Sequence, residues 1–341
     1  MCAEPSVLTP DRLVTAAEQI ADEIFAPQRG NVDQSGVIPP GHLTALADAG
    51  LYGAVVRAPD DFTTIVEVLA RGCLATTFVW LQHHTLARRL AMPDAPAELT
   101  ALADDLWAGR TRAGIVQAGL LPGPPILEAR PIDGEGSWQI DGFSPWCTGW
   151  GMIDELMVAA RVADDPEQVV WLMVPAADQP GLGVRRLPLQ SVDATATVSL
   201  SFDSVAVDPG RLLGTDDYAR VGHPAGHGLR GNGSLALGLA TRCARLIHDI
   251  GGTDATDRAD RLVDTIDRAR SAMDAADDVT MPARRADAAL LAVDAAVALV
   301  AAQGASAAMQ GSEGEQAMRE ATFLLVFGSR PTIKQELLRR S

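Results

Sequence analysis

Residues 194–207 read ATATVSLSFDSVAV, and their alternation decides the layout of the chain. Ala196, Val198, Leu200 and Phe202 share one parity; Thr195, Thr197, Ser199 and Ser201 share the other. A strand turns successive side chains to opposite faces, so this period of two predicts a half-buried β-strand. Working outward, residues 137–142 (SWQIDG), 155–162 (ELMVAARV) and 168–174 (QVVWLMV) are further strands, set between Pro, Gly and Asp turns. No long helix separates one strand from the next. The pattern therefore predicts an antiparallel sheet or barrel, not a doubly wound parallel sheet.

Both flanks are helical. Thr9 and Pro10 make a cap and first-turn pair, followed at helical spacing by Leu13, Ala16, Ala17 and Ile20. Pro39, Pro40 and Gly41 break the chain, residues 42–49 form a short helix ended by Gly50, and 63–70 and 75–90 are further helices. Beyond about residue 220, the stretch 257–273 places Leu262, Ile266, Ala269 and Met273 on one face. Residues 286–302, ADAALLAVDAAVALVAA, carry Asp287 and Asp294 and read as a bundle's core helix, not a membrane span. The expected fold class is α+β: an N-terminal helical domain (1–110), a middle antiparallel β-barrel or sandwich (111–215) and a C-terminal domain like a four-helix bundle (216–341).

Composition narrows the function. Of 341 residues, 47% are hydrophobic and 21% charged, a globular balance. There are 28 basic and 44 acidic residues, a net charge of −16, which repels nucleic-acid phosphates and anionic lipid surfaces. A small anionic ligand stays open, because a pocket can carry its own local sign. Lys334 is the only lysine, which removes most P-loop and Schiff-base readings. Cys2, Cys73, Cys147 and Cys243 have neither metal-ligand spacing nor a disulfide framework, so a reduced cytosolic setting is expected. The opening MCAEPSVLTPDRL lacks the basic start and apolar core of a signal peptide.

Few motifs carry chemistry. Residues 226–231, GHGLRG, match G-x-G-x-x-G by letter, but no strand precedes them, so they read as a flexible approach to a helix capped near Asn232 or Ser234. His223 and His227 have the spacing of helical zinc ligands, yet Pro224 and Gly226 interrupt and no third ligand is near. His83 and His84 face different sides of a helix and read as packing or surface. Glu313 and Glu315 read as solvated loop charges. No G-x-S-x-G, H-E-x-x-H or C-x-x-C motif is present. By contrast, residues 145–150, PWCTGW, concentrate two indoles in a chain that is only 4% aromatic. A flat aromatic beside a hydroxyl suits a planar heterocycle; a core Trp pair at a β-corner is the alternative.

At this segment the chain resembles the acyl-CoA dehydrogenase family. The run WQIDGFSPWCTGWGMIDELMVAAR (138–161) resembles the family's strand–turn–strand, in which an Asn/Asp-Gly turn leads to a Trp-Ile-Thr type motif and then an acidic residue. Residues 32–53 and 76–86 resemble its early helices, 194–214 its Phe-Asp-Asp-Val strand, and 311–333 its closing helices. The resemblance implies a flavoprotein that oxidises the Cα–Cβ bond of an acyl thioester with FAD, as a homodimer or tetramer, with a homologous subunit as a further possibility. It implies Trp146 against the flavin ring, Thr148 and Cys147 beside it, and the backbone of Gln117 and Ala118 at the pyrimidine edge. Ser329 would hold the phosphate or ribose, and Arg230 would contact substrate. No metal is implied.

The chain departs from the family at the base. Phe327 occupies the position of the usual catalytic Glu, and the alternative position near Arg230 offers only Gly228, Leu229, Gly231 and Asn232. The family's Thr-Glu-Pro segment is replaced by QAGLLP (117–122), and its basic Phe-Gly segment by GGTDAT (251–256). A positioned base contributes about 10²–10⁴-fold to proton abstraction. Besides the dehydrogenase, the readings kept open are a non-catalytic partner subunit, a flavin-dependent monooxygenase on the same fold, and a flavin-free scaffold.

Overall fold

The computed structural model describes residues 9–132, 136–222, 226–328 and 330–340. Its strands are β1 (Ala113–Val116), β2 (Leu127–Pro131), β3 (Trp138–Cys147), β4 (Glu155–Val162), β5 (Asp165–Pro175), β6 (Leu182–Arg186), β7 (Val198–Val207) and β8 (Leu212–Asp217). They form one sheet in the order β6-β7-β3-β2-β4-β5-β8, with β1 on β4.

The expected antiparallel sheet is corrected at one place. β1 and β2 both run parallel to β4: Ala113–Val116 pair with Glu155–Val158, and Glu128 and Ala129 pair with Arg161 and Val162. The two short strands thus occupy successive halves of one edge of β4, and the chain between them leaves the sheet. That excursion, residues 117–126, becomes a wall of the site. The other pairings are antiparallel.

β4 and β5 read as continuous apolar runs because both faces are buried. Leu156, Val158, Val170 and Leu172 enter the core between the sheet's strands, whereas Met157, Ala159, Val169 and Met173 pack against Leu86, Leu106 and their helices. In β7 the alternation holds only toward its end. The expected strand does not reach back to 194–197: Asp193–Thr195 form a 3-10 turn ahead of it, with Thr195 and Thr197 buried there, while within β7 Ser199 is buried with Val198 and Leu200, and Ser201 and Asp203 are exposed.

Helices before and after the strands share a single hydrophobic core, in which Ile65 and Leu69 meet Leu235, Leu262, Ala292 and Leu324. Helix Phe62–Gly72 packs on helix Gly226–Ile250 at Gly238, where a Cβ would lie 2.5 Å from the Glu67 carbonyl oxygen. The glycine-rich 226–231 run is the first turns of this helix, not a loop before it. Leu229 is buried there, and the Arg230 guanidinium is held by Glu67 (3.2 Å), Asp274 (2.7 Å) and Ser234 (2.6 Å). Tertiary anchoring of these two residues overrides the low helix propensity of glycine. The apolar stretch Met281–Ala308 is long and apolar enough to cross a membrane by length and composition alone. In the fold its helix, Met281–Gln303, packs among the bundle helices and buries Ala288, Ala292, Ala295 and Leu299.

Glu313 and Glu315 are not loop charges. They open helix Glu313–Val326, where Glu313 pairs with Arg29 at 2.7 Å and Glu315 pairs with Arg319. His83 and His84 are both buried, against Tyr52 and against Phe62 and Trp80 respectively. The cysteines Cys73, Cys147 and Cys243 are free and buried. Among the described residues, no three His, Cys, Asp or Glu side chains gather as a metal site needs.

Candidate functional site

A cavity of about 620 Å³ opens where the sheet, helix Leu74–Arg89 and the last helices meet. Its size falls within the roughly 300–1,000 Å³ of small-molecule and cofactor pockets.

One wall comes from the end of β3. Pairing with β7 steps from Ser144↔Leu200 to Cys147↔Val198, so β3 carries one extra residue there. Pro145 has no N–H for the ladder, which favours such a bulge. The bulge turns Trp146 out, and its indole stands 59% exposed at the cavity. Cys147, the next residue, points into the sheet core, where burial pushes its thiol up to about 12. Thr148 lines the cavity with its hydroxyl 3.3 Å from that of Thr197, which in turn bonds Thr195 at 2.8 Å. The second indole, Trp150, packs against the sheet core.

A second wall is the excursion from β4, where Gln117, Ala118 and Leu121 line the cavity. Three successive carbonyls behind them are tied down from three elements. Arg161 Nε donates to Gly119 O (2.6 Å), Arg330 Nη1 to Leu120 O (2.9 Å) and Tyr218 Oη to Leu121 O (3.4 Å). The Arg161 guanidinium also lies 3.2 Å above the Tyr218 ring centre. Gly119 fits against β4 because a Cβ there would meet the Ala159 carbonyl oxygen at 2.6 Å.

The third wall is aromatic. Phe78, Phe323 and Phe327 line the cavity, with Phe327 edge-on to Phe78 at 4.5 Å and stacked with Phe323 at 5.4 Å. Arg285, fully buried, donates to the carbonyls of Leu324 and Phe327 and so fixes the end of the helix that carries Phe323. Its burial draws its pKa down to about 10.

Charge in the cavity is sparse. Among the described residues lining it there is no Asp, Glu, His, Lys, Tyr or Cys; the ionisable ones are Arg319 and Arg330. Arg319 is saturated by a bidentate pair with Asp33 (2.9 and 2.5 Å) and by Glu315, which together raise its pKa. Arg330 has no carboxylate partner among the described residues, and burial lowers its pKa.

This architecture is that of butyryl-CoA dehydrogenase from Megasphaera elsdenii. The two superpose with a TM-score of 0.81 over 99% of this chain and 98% of that one, at 15% identity. The chain has the acyl-CoA dehydrogenase fold. On the same fold, dibenzothiophene monooxygenase (TdsC) from Paenibacillus sp. A11-2 matches with a TM-score of 0.78 at 16% identity, over 96% of this chain and 95% of that one. A curated relative, 3-sulfinopropanoyl-CoA desulfinase of Paraburkholderia xenovorans (strain LB400), is 24% identical over 212 residues. That alignment covers 58% of this chain, and the chain spans about half (54%) of the relative's length. No family model matches the chain.

Within the acyl-CoA dehydrogenase fold, the structure brings Gln117, Ala118, Trp146, Thr148 and Phe327 to one cavity. It does not bring Arg230 there, because the guanidinium is taken up by Glu67 and Asp274. It turns the Cys147 side chain away. Ser329 and His223 lie outside the described residues. Sequence reasoning missed Phe78, Phe323, Thr197 and Arg330. Phe323 and Phe327, four apart on one helix, were the legible signal among them.

Proposed function

We propose that this chain is a flavin-binding oxidoreductase of the acyl-CoA dehydrogenase type whose cavity offers no proton acceptor among the described residues. The observation that carries this reading is the lining: an exposed indole and a hydroxyl beside it, facing an aromatic wall without a carboxylate or imidazole. The residues fit a flavin. Trp146 offers an uncovered ring face, Thr148 a hydroxyl whose partner among the described residues is Thr197, and Gln117 and Ala118 the start of a turn whose first amides lack an internal partner. The complex of TdsC with FMN and indole, at a TM-score of 0.76, gives independent support for a flavin on this fold. We assign FAD as the cofactor, with FMN as the competing form.

When bound, a flavin supplies hydride acceptance and, once reduced, reaction with oxygen. The chain's share is binding and exclusion. Trp146 and Thr148 orient the ring, and Phe78, Phe323 and Phe327 keep water from its far side. Oxidation at Cα–Cβ of an acyl thioester also requires a group that takes the α-proton. With Phe327 in the cavity and no acceptor among the described lining residues, that group comes from elsewhere in the chain or, in the reading we favour, from a second, homologous subunit in a dimer or tetramer. The isolated chain should then bind acyl-CoA yet pass electrons to the flavin slowly. The similarity to the monooxygenase favours a second reading, in which oxygen-dependent chemistry needs no protein carboxylate.

The test is to purify the chain, identify its flavin by mass spectrometry, and mix it anaerobically with a panel of acyl-CoA esters. Slow bleaching of the flavin by the chain alone, accelerated by a co-expressed homologous subunit, supports the first reading. Turnover that instead needs oxygen and a flavin reductase supports the second. A colourless protein that ignores added flavin refutes both.

A further inference from the structure

Three threonine hydroxyls form a row at the cavity, and the binding role given to Thr148 uses only the first. Thr148 lines the cavity, its hydroxyl lies 3.3 Å from that of Thr197, and the Thr197 hydroxyl lies 2.8 Å from that of Thr195. The row runs inward, from Thr148 at 8% exposed to Thr195 at 0%. On an extended strand, residues two apart on one face stand about 6.5–7 Å from each other. Residues 195 and 197 meet because Ala196 between them takes a left-handed conformation (φ 48°), as does Val192 ahead of them (φ 52°). Such backbone is costly for residues other than glycine and persists only where the surroundings hold it. Here Arg186 and the Leu189 amide both donate to the Asp193 carboxylate. The amide of Gly149, the residue after Thr148, donates to the Thr195 carbonyl oxygen at 2.9 Å.

We infer that Thr197 and Thr195 are positioning residues that fix Thr148 as a hydrogen-bond donor into the cavity, and so set the redox preference of the ring held there. This inference rests on the flavin reading above. Each hydroxyl has one proton to give and can accept more than one bond. With the protons pointing outward, Thr195 donates to Thr197, Thr197 to Thr148, and Thr148 to the ligand. With the protons pointing inward, Thr148 donates to Thr197 and Thr197 to Thr195. The Thr195 proton is then left in the core with no acceptor among the described residues. A buried donor without a partner carries its full desolvation cost, so the outward order prevails. The reactive ring nitrogen of an oxidised flavin accepts a hydrogen bond. Uptake of two electrons and a proton there turns it into a donor. A hydroxyl committed to donating therefore favours the oxidised ring over the reduced one.

The experiment measures the two-electron reduction potential of the bound flavin, with FAD as the probe and FMN in parallel. It compares the full chain with Thr197→Val, Thr197→Ser and Thr148→Val. Without Thr197, the Thr148 hydroxyl turns freely to serve either form of the ring. The preference for oxidised over reduced flavin should then fall about tenfold, a rise of about 30 mV for a two-electron couple. Thr197→Ser keeps the hydroxyl and should hold that preference within about twofold. When Thr148→Val is already present, Thr197→Val should add nothing, because it acts through Thr148. Thr197→Val leaves the Thr195 hydroxyl orphaned, so a double variant, Thr195→Val with Thr197→Val, guards against loss of folding. Replacing both buried partners by isosteres is nearly neutral for stability, and the potential should rise as in Thr197→Val. An unchanged or lower potential in these variants overturns the assignment while the flavin reading stands. So does an equal rise in Thr197→Ser, or a full second rise on top of Thr148→Val, which would mark a direct contact or a merely structural role. A chain that takes up neither FAD nor FMN overturns this assignment and the flavin reading together.

Discussion

At Trp146 an aromatic side chain is left 59% exposed by a bulge that a proline enforces, and this predicts a clean separation of binding from stability. Trp146→Ala removes little packing from the core, so its melting temperature should match that of the unmodified chain. Stacking of a ring on an indole is worth about 1–3 kcal/mol, so flavin dissociation should rise about 5- to 150-fold. Fluorescence titration beside a thermal melt checks both; unchanged cofactor content would remove Trp146 from the site. Phe327 supports the complementary gain-of-function test. A carboxylate placed there by Phe327→Glu faces Phe78 and Phe323, and its apolar surroundings raise its pKa. Flavin reduction by acyl-CoA should accelerate by about 100-fold or more, growing as pH rises through that elevated value, with Phe327→Gln as the inactive control. Stopped-flow bleaching under nitrogen measures it, and no gain would show that position 327 does not face the α-carbon.

Helix Leu74–Arg89 carries a pH liability in the same segment that builds the cavity. Burial holds His83 down to about 3 and His84 well below its ordinary 6.5, and His42 on the adjacent short helix is lowered by the same cause. The unfolded chain therefore binds protons that the folded chain refuses between the folded and unfolded pKa values. Stability is full above about pH 6.5 and falls as pH drops below it, by about 1.4 kcal/mol per pH unit for each of His83 and His84. The His84 nitrogens have no hydrogen-bond partner among the described residues, so His84→Leu should keep or raise stability at pH 7.5 and remove one histidine's share of the slope. Urea titrations at pH 5, 6 and 7.5 test this, and an unaltered slope contradicts it. Strand β4 was legible to the residue, because an apolar run bounded by acidic and glycine-rich turns has one reading. Strands β1 and β2 were not legible. Each is four or five residues long, and each exists through partners distant in sequence, β1 through the edge of β4 and β2 through β3 and β4, that no local pattern announces. The Glu313–Arg29 and Arg319–Asp33 pairs were hidden for the same reason, since each joins residues more than 280 positions apart.

Over the whole molecule, the cavity is a seam between parts of the chain that meet only in the fold. Phe78 comes from a helix before the strands, Trp146 from the sheet, and Phe327 from the closing helices. The sequence showed three compositional zones, but not that the first and last share one core. That sharing is close at Gly238, whose missing Cβ admits the backbone of Glu67 and the Ala70 side chain (2.7 Å from where a Cβ would lie). Gly238→Val forces these helices apart, and overpacking of this kind costs about 1–3 kcal/mol. Because both helices belong to the core that carries Phe78 and Phe327, flavin affinity should fall together with the melting temperature. Trp146→Ala, in contrast, should lower affinity alone. A Gly238→Val variant that melts earlier yet holds flavin with unchanged affinity would show that the seam is decoupled from the core, and that the sheet and its indole suffice to hold the ring.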